Sequence, residues 1–315
     1  MGATGRPGQS SGVQIVRVDS DRAGQRLDNF LAARLKGVPK AAVYRMIRTG
    51  QVRINGSRSK PATRLEEGDE VRVPPAHTRQ AGAVTLSETV CRQVTEAIVY
   101  EDPDLLVVNK PSGMAVHSGS GLPWGLIDVV RQVRPGAFVE LVHRLDRETS
   151  GCLVLARNGA ALNRLSAQFR SGAVDKRYLC LMDGVMREAL VAVDAPLRKQ
   201  ESGGQSEVTV SADGKPAQTR FRLLQAYRDC SYAEAELLTG RTHQIRAHAR
   251  HIGLPLAGDD RYSSRESLKK WKQRGLSRLF LHAHRLELEA PSGAHLSLDA
   301  PLPPALANVL DGLEP

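Results

Sequence analysis

No apolar run in this 315-residue chain approaches the roughly 20 residues that a helix needs to cross a bilayer. The first twelve residues, rich in Gly, Ser, Arg and Pro, also lack the apolar stretch of a secretory signal. Residues 1–12 therefore read as a disordered leader, and the protein as cytoplasmic. Cysteine is scarce: Cys91, Cys152, Cys180 and Cys230 lie far apart and form no CxxC pair, which argues against a zinc ribbon and a disulfide framework. They read as reduced, structural thiols. There is no GxxxxGKS/T loop and no GxGxxG between a strand and a helix, so no nucleotide cradle is expected. His248 and His251 carry no HExxH arrangement, and His282 and His284 read most simply as neighbours on one face of a strand. Chemistry without metal or cofactor is the expectation.

What the sequence does have is positive charge, 44 Lys and Arg against 34 Asp and Glu, for a formal net charge of +10. Its location matters more than its size. Between positions 26 and 64 stand ten basic residues, Arg26, Arg34, Lys36, Lys40, Arg45, Arg48, Arg53, Arg58, Lys60 and Arg64, against the single acid Asp28. A basic face this concentrated is the electrostatic footprint of a polyanion partner. The plainer alternative is a solvated basic surface. A membrane-surface helix is disfavoured, because the charges spread over two helices and a hairpin rather than along one amphipathic stripe.

Hydrophobic residues at 41% and charged residues at 25% are typical of a globular chain, and the length suggests about two domains. After a short strand at 13–18, Leu27, Phe30, Leu31 and Leu35 fall at helical spacing; Pro39 then opens a second helix with Val43, Met46 and Ile47 as its apolar stripe and Gly50 after its end. Alternating Val52 and Ile54, the turn pair Asn55-Gly56 and a strand at 69–73 complete a small unit, 13–75. The aperiodic stretch 76–94 reads as a linker, and 95–315 as a second domain. Within it, strands are expected at 97–100, 105–108, 152–156, 178–182, 219–224, 233–238 and 280–288, and helices at 160–172 and 241–252. Without a regular alternation of strand and helix, these predict an α+β fold with a mixed or antiparallel sheet and peripheral helices.

Two segments of the second domain carry candidate chemistry. In His143-Arg-Leu-Asp-Arg-Glu-Thr-Ser-Gly151, Asp146 stands just before a turn into the apolar strand Cys-Leu-Val-Leu-Ala, where a carboxylate can be held rigidly at a sheet edge. The bland alternative is an Asp that caps a turn. In the second, Leu237-Leu-Thr-Gly-Arg-Thr-His-Gln-Ile-Arg246, a strand and tight turn enter a helix with Ile245, Ala249 and Ile252 inward and Arg246 at the border, able to reach a carboxylate and keep it ionised.

The segment RLDNFLAARLKGVPKAAVYRMIRTGQVRINGSRSKPATRLEEGDEVRVP resembles the S4 RNA-binding domain. HRLDRETSG at 143–151, KRYLCLMDG at 176–184 and GRTHQIRAHARHIGLPLAGDDRY at 240–262, with VVNKPSGMAVHSGSG and SRLFLHAHRLELEAP, resemble in order the motifs of the RluA-family pseudouridine synthases, most closely the RluC type. One departure is Ser263, where that family commonly has Gly, which puts a loop conformation in question.

The resemblance implies isomerisation of uridine to pseudouridine in 23S ribosomal RNA, or in a large-subunit precursor, by a monomer that needs no cofactor. It implies Asp146 as the catalytic aspartate, Tyr178 as the active-site tyrosine, Arg246 as the partner of Asp146, and Arg144 as the arginine that fills the gap left by a flipped nucleotide. Candidate RNA contacts are Arg26, Lys36, Lys40, Arg45, Arg48, Arg53, Arg58 and Lys60. The low aromatic content, 4%, agrees with recognition by shape and charge rather than on a stacking platform. Two rival classes remain: an RNA-binding assembly protein with an inactive second domain, which retention of Asp146, Tyr178 and Arg246 together opposes, and a metal-dependent nuclease, which lacks clustered carboxylates.

Overall fold

The structure, a computed structural model, describes residues 12–35, 38, 40–75, 86–118, 122–202 and 205–314, and divides between Thr85 and Leu86 into two units. Most of the expected leader, all of 76–85, and Lys36 lie outside the described residues.

In the first unit β1 (Gln14–Arg17), α1 (Leu27–Arg34), α2 (Lys40–Arg48), β2 (Arg53–Ile54) and β3 (Glu70–Val73) follow the expected order. Leu27, Phe30 and Leu31 of α1 meet Val43 and Ile47 of α2 over Val52, Ile54, Leu65, Val71 and Val73, so the apolar spacing read from the sequence is the core itself. A three-stranded antiparallel sheet, ordered β1-β3-β2, closes the unit. Asn55 (φ 49) and Gly56 (φ 77) both take positive φ, as the tight turn between Ile54 and Ser57 requires.

The second unit begins earlier than expected. Residues 88–94 are not linker but most of α3 (Glu88–Glu96), which Ser87 caps by accepting from the Val90 amide, while Leu86 and Val94 are buried in the core. The apolar signal there is only Val90 and Val94, too thin to read as a period. Then come β4 (Ile98–Glu101), β5 (Leu105–Lys110), α4 (Leu126–Val133), β6 (Glu140–Leu141), β7 (Ser150–Ala156), α5 (Gly159–Ser171) and β8 (Asp175–Met182). After β9 (Leu190–Asp194), β10 (Leu197–Ser202), β11 (Gln205–Val210), β12 (Gln218–Ala226) and β13 (Ser231–Leu237) follow α6 (Gln244–His251), α7 (Arg265–Gln273), β14 (Leu281–Glu289), β15 (His295–Asp299) and α8 (Pro304–Asp311).

Ten of these strands form one sheet, β4-β5-β7-β14-β8-β13-β12-β9, with β6 added on β7 and β15 on β14; β10 and β11 form a separate hairpin. The β7–β14 pair is parallel and the other pairings are antiparallel, so the sheet is mixed. Its centre is buried on both faces. On β5 and β7, Leu106, Val108, Leu153 and Leu155 face one core cluster, while Leu105, Val107, Cys152 and Val154 face another beneath α5. None of the described helices is long and apolar enough to cross a membrane.

Candidate active site

The loop 143–149 is tied to the sheet at both ends. Gly151 enters β7 at φ +113 where β7 meets β14, and a Cβ there would lie 2.2 Å from Ala283 O, so only glycine fits the junction. Beside it, Ser150 Oγ accepts from Arg278 Nη2 (2.8 Å) and bonds His282 Nδ1 (2.9 Å). His282 Nε2 donates to Ala300 O at 3.0 Å, so Nδ1 is the acceptor and Ser150 the donor in that pair. Burial pushes the His282 imidazolium down to about 4, which keeps this ring neutral. At the other end, the buried Lys110 donates to the carbonyls of Pro111, Met114 and Arg147 at 2.8, 2.8 and 3.0 Å. Ser112 Oγ donates to Glu148 O at 2.7 Å. The NKPSG stretch and the Asp146 loop are thus one hydrogen-bonded body.

Asp146 lines a cavity of about 250 Å³, a little under the usual range for drug-sized ligands. Tyr178, Leu237, Leu281 and Ile245 are apolar floor and wall; Arg144, Lys176, Arg241, His243 and Arg246 supply the basic side chains around it. Asp146 keeps 20% of its side chain exposed, and His243 Nε2 is 3.8 Å from its Oδ2. Tyr178 lies buried on β8, its phenol held well above the ordinary range first by burial and then by the Asp146 charge, so it is a neutral ring facing the cavity. Arg144 is exposed at the rim.

Arg246 is where the sequence reading needs correction. It is not at the border of α6 but 2% exposed, and its guanidinium grips Asp259 in two hydrogen bonds, Nε–Oδ2 2.8 Å and Nη2–Oδ1 2.6 Å, with Asp260 at 3.5 Å. No ion pair joins it to Asp146 among the described residues. The reason is local: Asp259 is fully buried, also receives the amides of Arg261 and Tyr262, and as a buried carboxylate requires a cation. Ser263 resolves the glycine question, because it turns back with Oγ on Leu256 O (3.0 Å) and shows no positive φ.

His243 is the site residue that the sequence reading missed. Its place in GRTHQIR was visible, but its left-handed backbone (φ 52, ψ 21) before α6 and its approach to Asp146 depend on tertiary structure. The cationic candidates of the first unit divide in the same way. Arg45 and Arg48 lie exposed on α2, and Arg58 and Lys60 are exposed in the loop after β2. Arg26 instead holds Asp28 in a bidentate pair (3.0 and 2.7 Å) that Tyr44 completes, and Arg53 donates to Gly50 O and Gly56 O, so both are at least in part internal braces. Lys40 opens α2.

A larger groove of about 530 Å³ runs between α5 and the β14–β15 edge. Its charges are largely spent: Arg164 on Glu289, and Asp175 on Arg177 at 2.8 Å. The buried free thiols are equally quiet, since burial pushes Cys152 and Cys180 up to about 12.

A lone carboxylate on the loop that enters an interior strand of the sheet, lining one cavity with a neutral tyrosine and several basic side chains, agrees with what comparison finds: the chain belongs to the RNA pseudouridylate synthase family, whose sequence profile matches residues 104–251, with an S4 domain matched at 25–71. It is 46% identical over 303 residues to "Ribosomal large subunit pseudouridine synthase C" of Yersinia pestis, covering 95% of each chain. It is 44% identical over 312 residues to the protein of that name in Escherichia coli, covering 97% of this chain and 98% of that one. Among solved structures, "Human RNA Pseudouridylate Synthase Domain Containing 4" superposes with a TM-score of 0.60 at 27% identity, over 72% of this chain and 97% of the human one.

Proposed function

We propose that the chain isomerises uridines of large-subunit ribosomal RNA to pseudouridine, with Asp146 as the reacting group. The observation that carries this is the single carboxylate, partly exposed, in the lining of a cavity of about 250 Å³ that it shares with Tyr178 and several basic side chains. The names of the full-length relatives support the large-subunit substrate. In the reaction the N1–C1′ bond breaks, the uracil turns within the cavity, C5 bonds to C1′, and the C5 proton leaves as N1 gains one. Asp146 serves either by attack on C1′ or by drawing a proton from C2′ to give a glycal. Tyr178 supports the extruded base from below. Arg144, exposed and planar, takes the place of the flipped base in the stack, offsetting part of an unstacking cost of a few kcal/mol. Arg246 acts at one remove, through Asp259 and Tyr262.

The exposed cations of α2 and of the loop after β2, Arg45, Arg48, Arg58 and Lys60, are the favoured phosphate contacts of the S4 unit. Release of tritium from [5-³H]uridine RNA tests the assignment: Asp146→Asn should abolish it while fold and RNA affinity persist. Turnover by this variant sinks the reading. Carbodiimide mapping of large-subunit RNA, with and without the gene, then locates the modified uridines.

A further inference from the structure

We infer that His243 is a positioning residue for Asp146: a neutral imidazole protonated on Nε2, which steers the reacting carboxylate and is itself locked by Tyr262. The inference rests on Asp146 being the reacting group. It begins at a backbone amide. Val208 N–H on the β10–β11 hairpin donates to Tyr262 Oη at 3.0 Å. Of the two partners of that oxygen the Val208 amide can only donate, so the hydroxyl's own proton finds its acceptor in the other, His243 Nδ1, at 3.0 Å. A nitrogen that accepts is unprotonated, so the neutral ring carries its proton on Nε2. Nε2 is the atom that faces Asp146 Oδ2 across 3.8 Å, a gap that a bound substrate can close, since catalytic hydrogen bonds are often long before substrate arrives.

The surroundings hold this arrangement. Arg246 and Arg250 lie over the Tyr262 ring at 5.1 and 5.9 Å, and the His243 and Tyr262 rings meet edge to face at 5.8 Å. The left-handed backbone of His243 is one that a residue other than glycine seldom adopts. It is fixed by Gln244, whose Oε1 accepts from Thr239 Oγ1 and the Arg241 amide and whose Nε2 donates to Gln218 O and Thr219 Oγ1. The charged groups facing the ring are Asp146 from its loop, Arg246 from α6, and Asp259 and Arg261 from the segment that carries Tyr262. Burial lowers the imidazolium below its usual value, against the pull of Asp146, and so favours the neutral ring that the hydrogen bonds require.

Long-range ¹⁵N–¹H correlation of the imidazole rings in the whole protein at pH 7, with His243 assigned through its backbone, should show the proton on Nε2. A proton on Nδ1 overturns the inference. In single-turnover and steady-state assays, His243→Asn tolerates the left-handed backbone and can still meet Tyr262, but has no atom that reaches Asp146; kcat should fall about 100-fold with KM for RNA unchanged. His243→Gln puts an amide N–H where Nε2 stood and should recover most of that rate. Tyr262→Phe frees Nδ1 to take a proton, and should move the acid limb of the kcat profile to higher pH. Asn and Gln variants of equal kcat would refute the Nε2 role. Should the variants misfold, as thermal melts would show, the ring measurement on the unaltered chain still decides. If Asp146→Asn retains turnover while the ring is as stated, the fault lies with the assignment of Asp146.

Discussion

At Gly151 a single methyl group decides whether the Asp146 loop can enter the sheet. Any Cβ there meets the Ala283 backbone and stands at φ +113, so Gly151→Ala should cost about 2–5 kcal/mol from backbone strain and overpacking together. A thermal melt checks this, and a variant that melts with the wild type would show that β7 and β14 can separate freely. His282 sets a pH dependence of stability nearby. Its folded value, about 4, lies below the ordinary 6.5, so as pH falls the unfolded chain takes up the proton first. The stability is therefore complete above 6.5, declines toward 4, and amounts to on the order of 3 kcal/mol for a fully buried ring. Denaturant midpoints measured from pH 7 to 4 should fall across that window, and fall less in His282→Gln.

Helix α2 shows how an element divides its labour by face. Val43 and Ile47 point into the core, and Arg45 and Arg48 stand exposed on the other side. Arg45→Ala with Arg48→Ala should raise KM for long RNA, leave kcat nearly intact, and reduce the slope of log K against log salt by about 1.4–1.8, at 0.7–0.9 for each phosphate contact removed. Loss of kcat at saturating RNA with an unchanged salt slope would mean that this helix acts on the chemistry instead. Arg53→Ala should behave differently, lowering the melting temperature through its lost bonds to Gly50 O and Gly56 O.

Elements of this kind were legible because period and punctuation agree in them: the apolar stripes of α1 and α2, the Asn55-Gly56 turn and the doubly buried runs of β5 and β7. Helix α3 and helix α7 were not, because their sequences, ETVCRQVTE and RESLKKWKQ, are mostly polar and acquire a buried side only through Val94 and Trp271. Nor was the β10–β11 hairpin, which lies apart from the main sheet. In the site, Asp146, Tyr178 and Arg144 were readable as motif positions. The Arg246–Asp259 pair was not, since nothing in the linear order says which of two carboxylates a buried arginine will meet.

Over the whole molecule, charge and chemistry are separated: the excess of positive charge belongs to 26–64, and the cavity with Asp146 belongs to the second unit. Among the described residues no group of three or more His, Cys, Asp and Glu could hold a metal ion. Activity on RNA folded in monovalent salt should survive excess EDTA; a loss restored only by one divalent ion acting on the protein would show the site misread. The grip on Ser150 has a further consequence in time rather than in space. Ser150 is held by Arg278 and His282, residues 128 and 132 positions further along, and His282 is itself fixed by Ala300. A ribosome delivers these parts in order, so the loop bearing Asp146 emerges after Lys110 and Ser112, which hold one end, but long before Arg278 and His282, which hold the other. A nascent chain therefore lacks both side-chain partners of Ser150, and the Ala300 carbonyl that orients His282, until nearly all of it has been made.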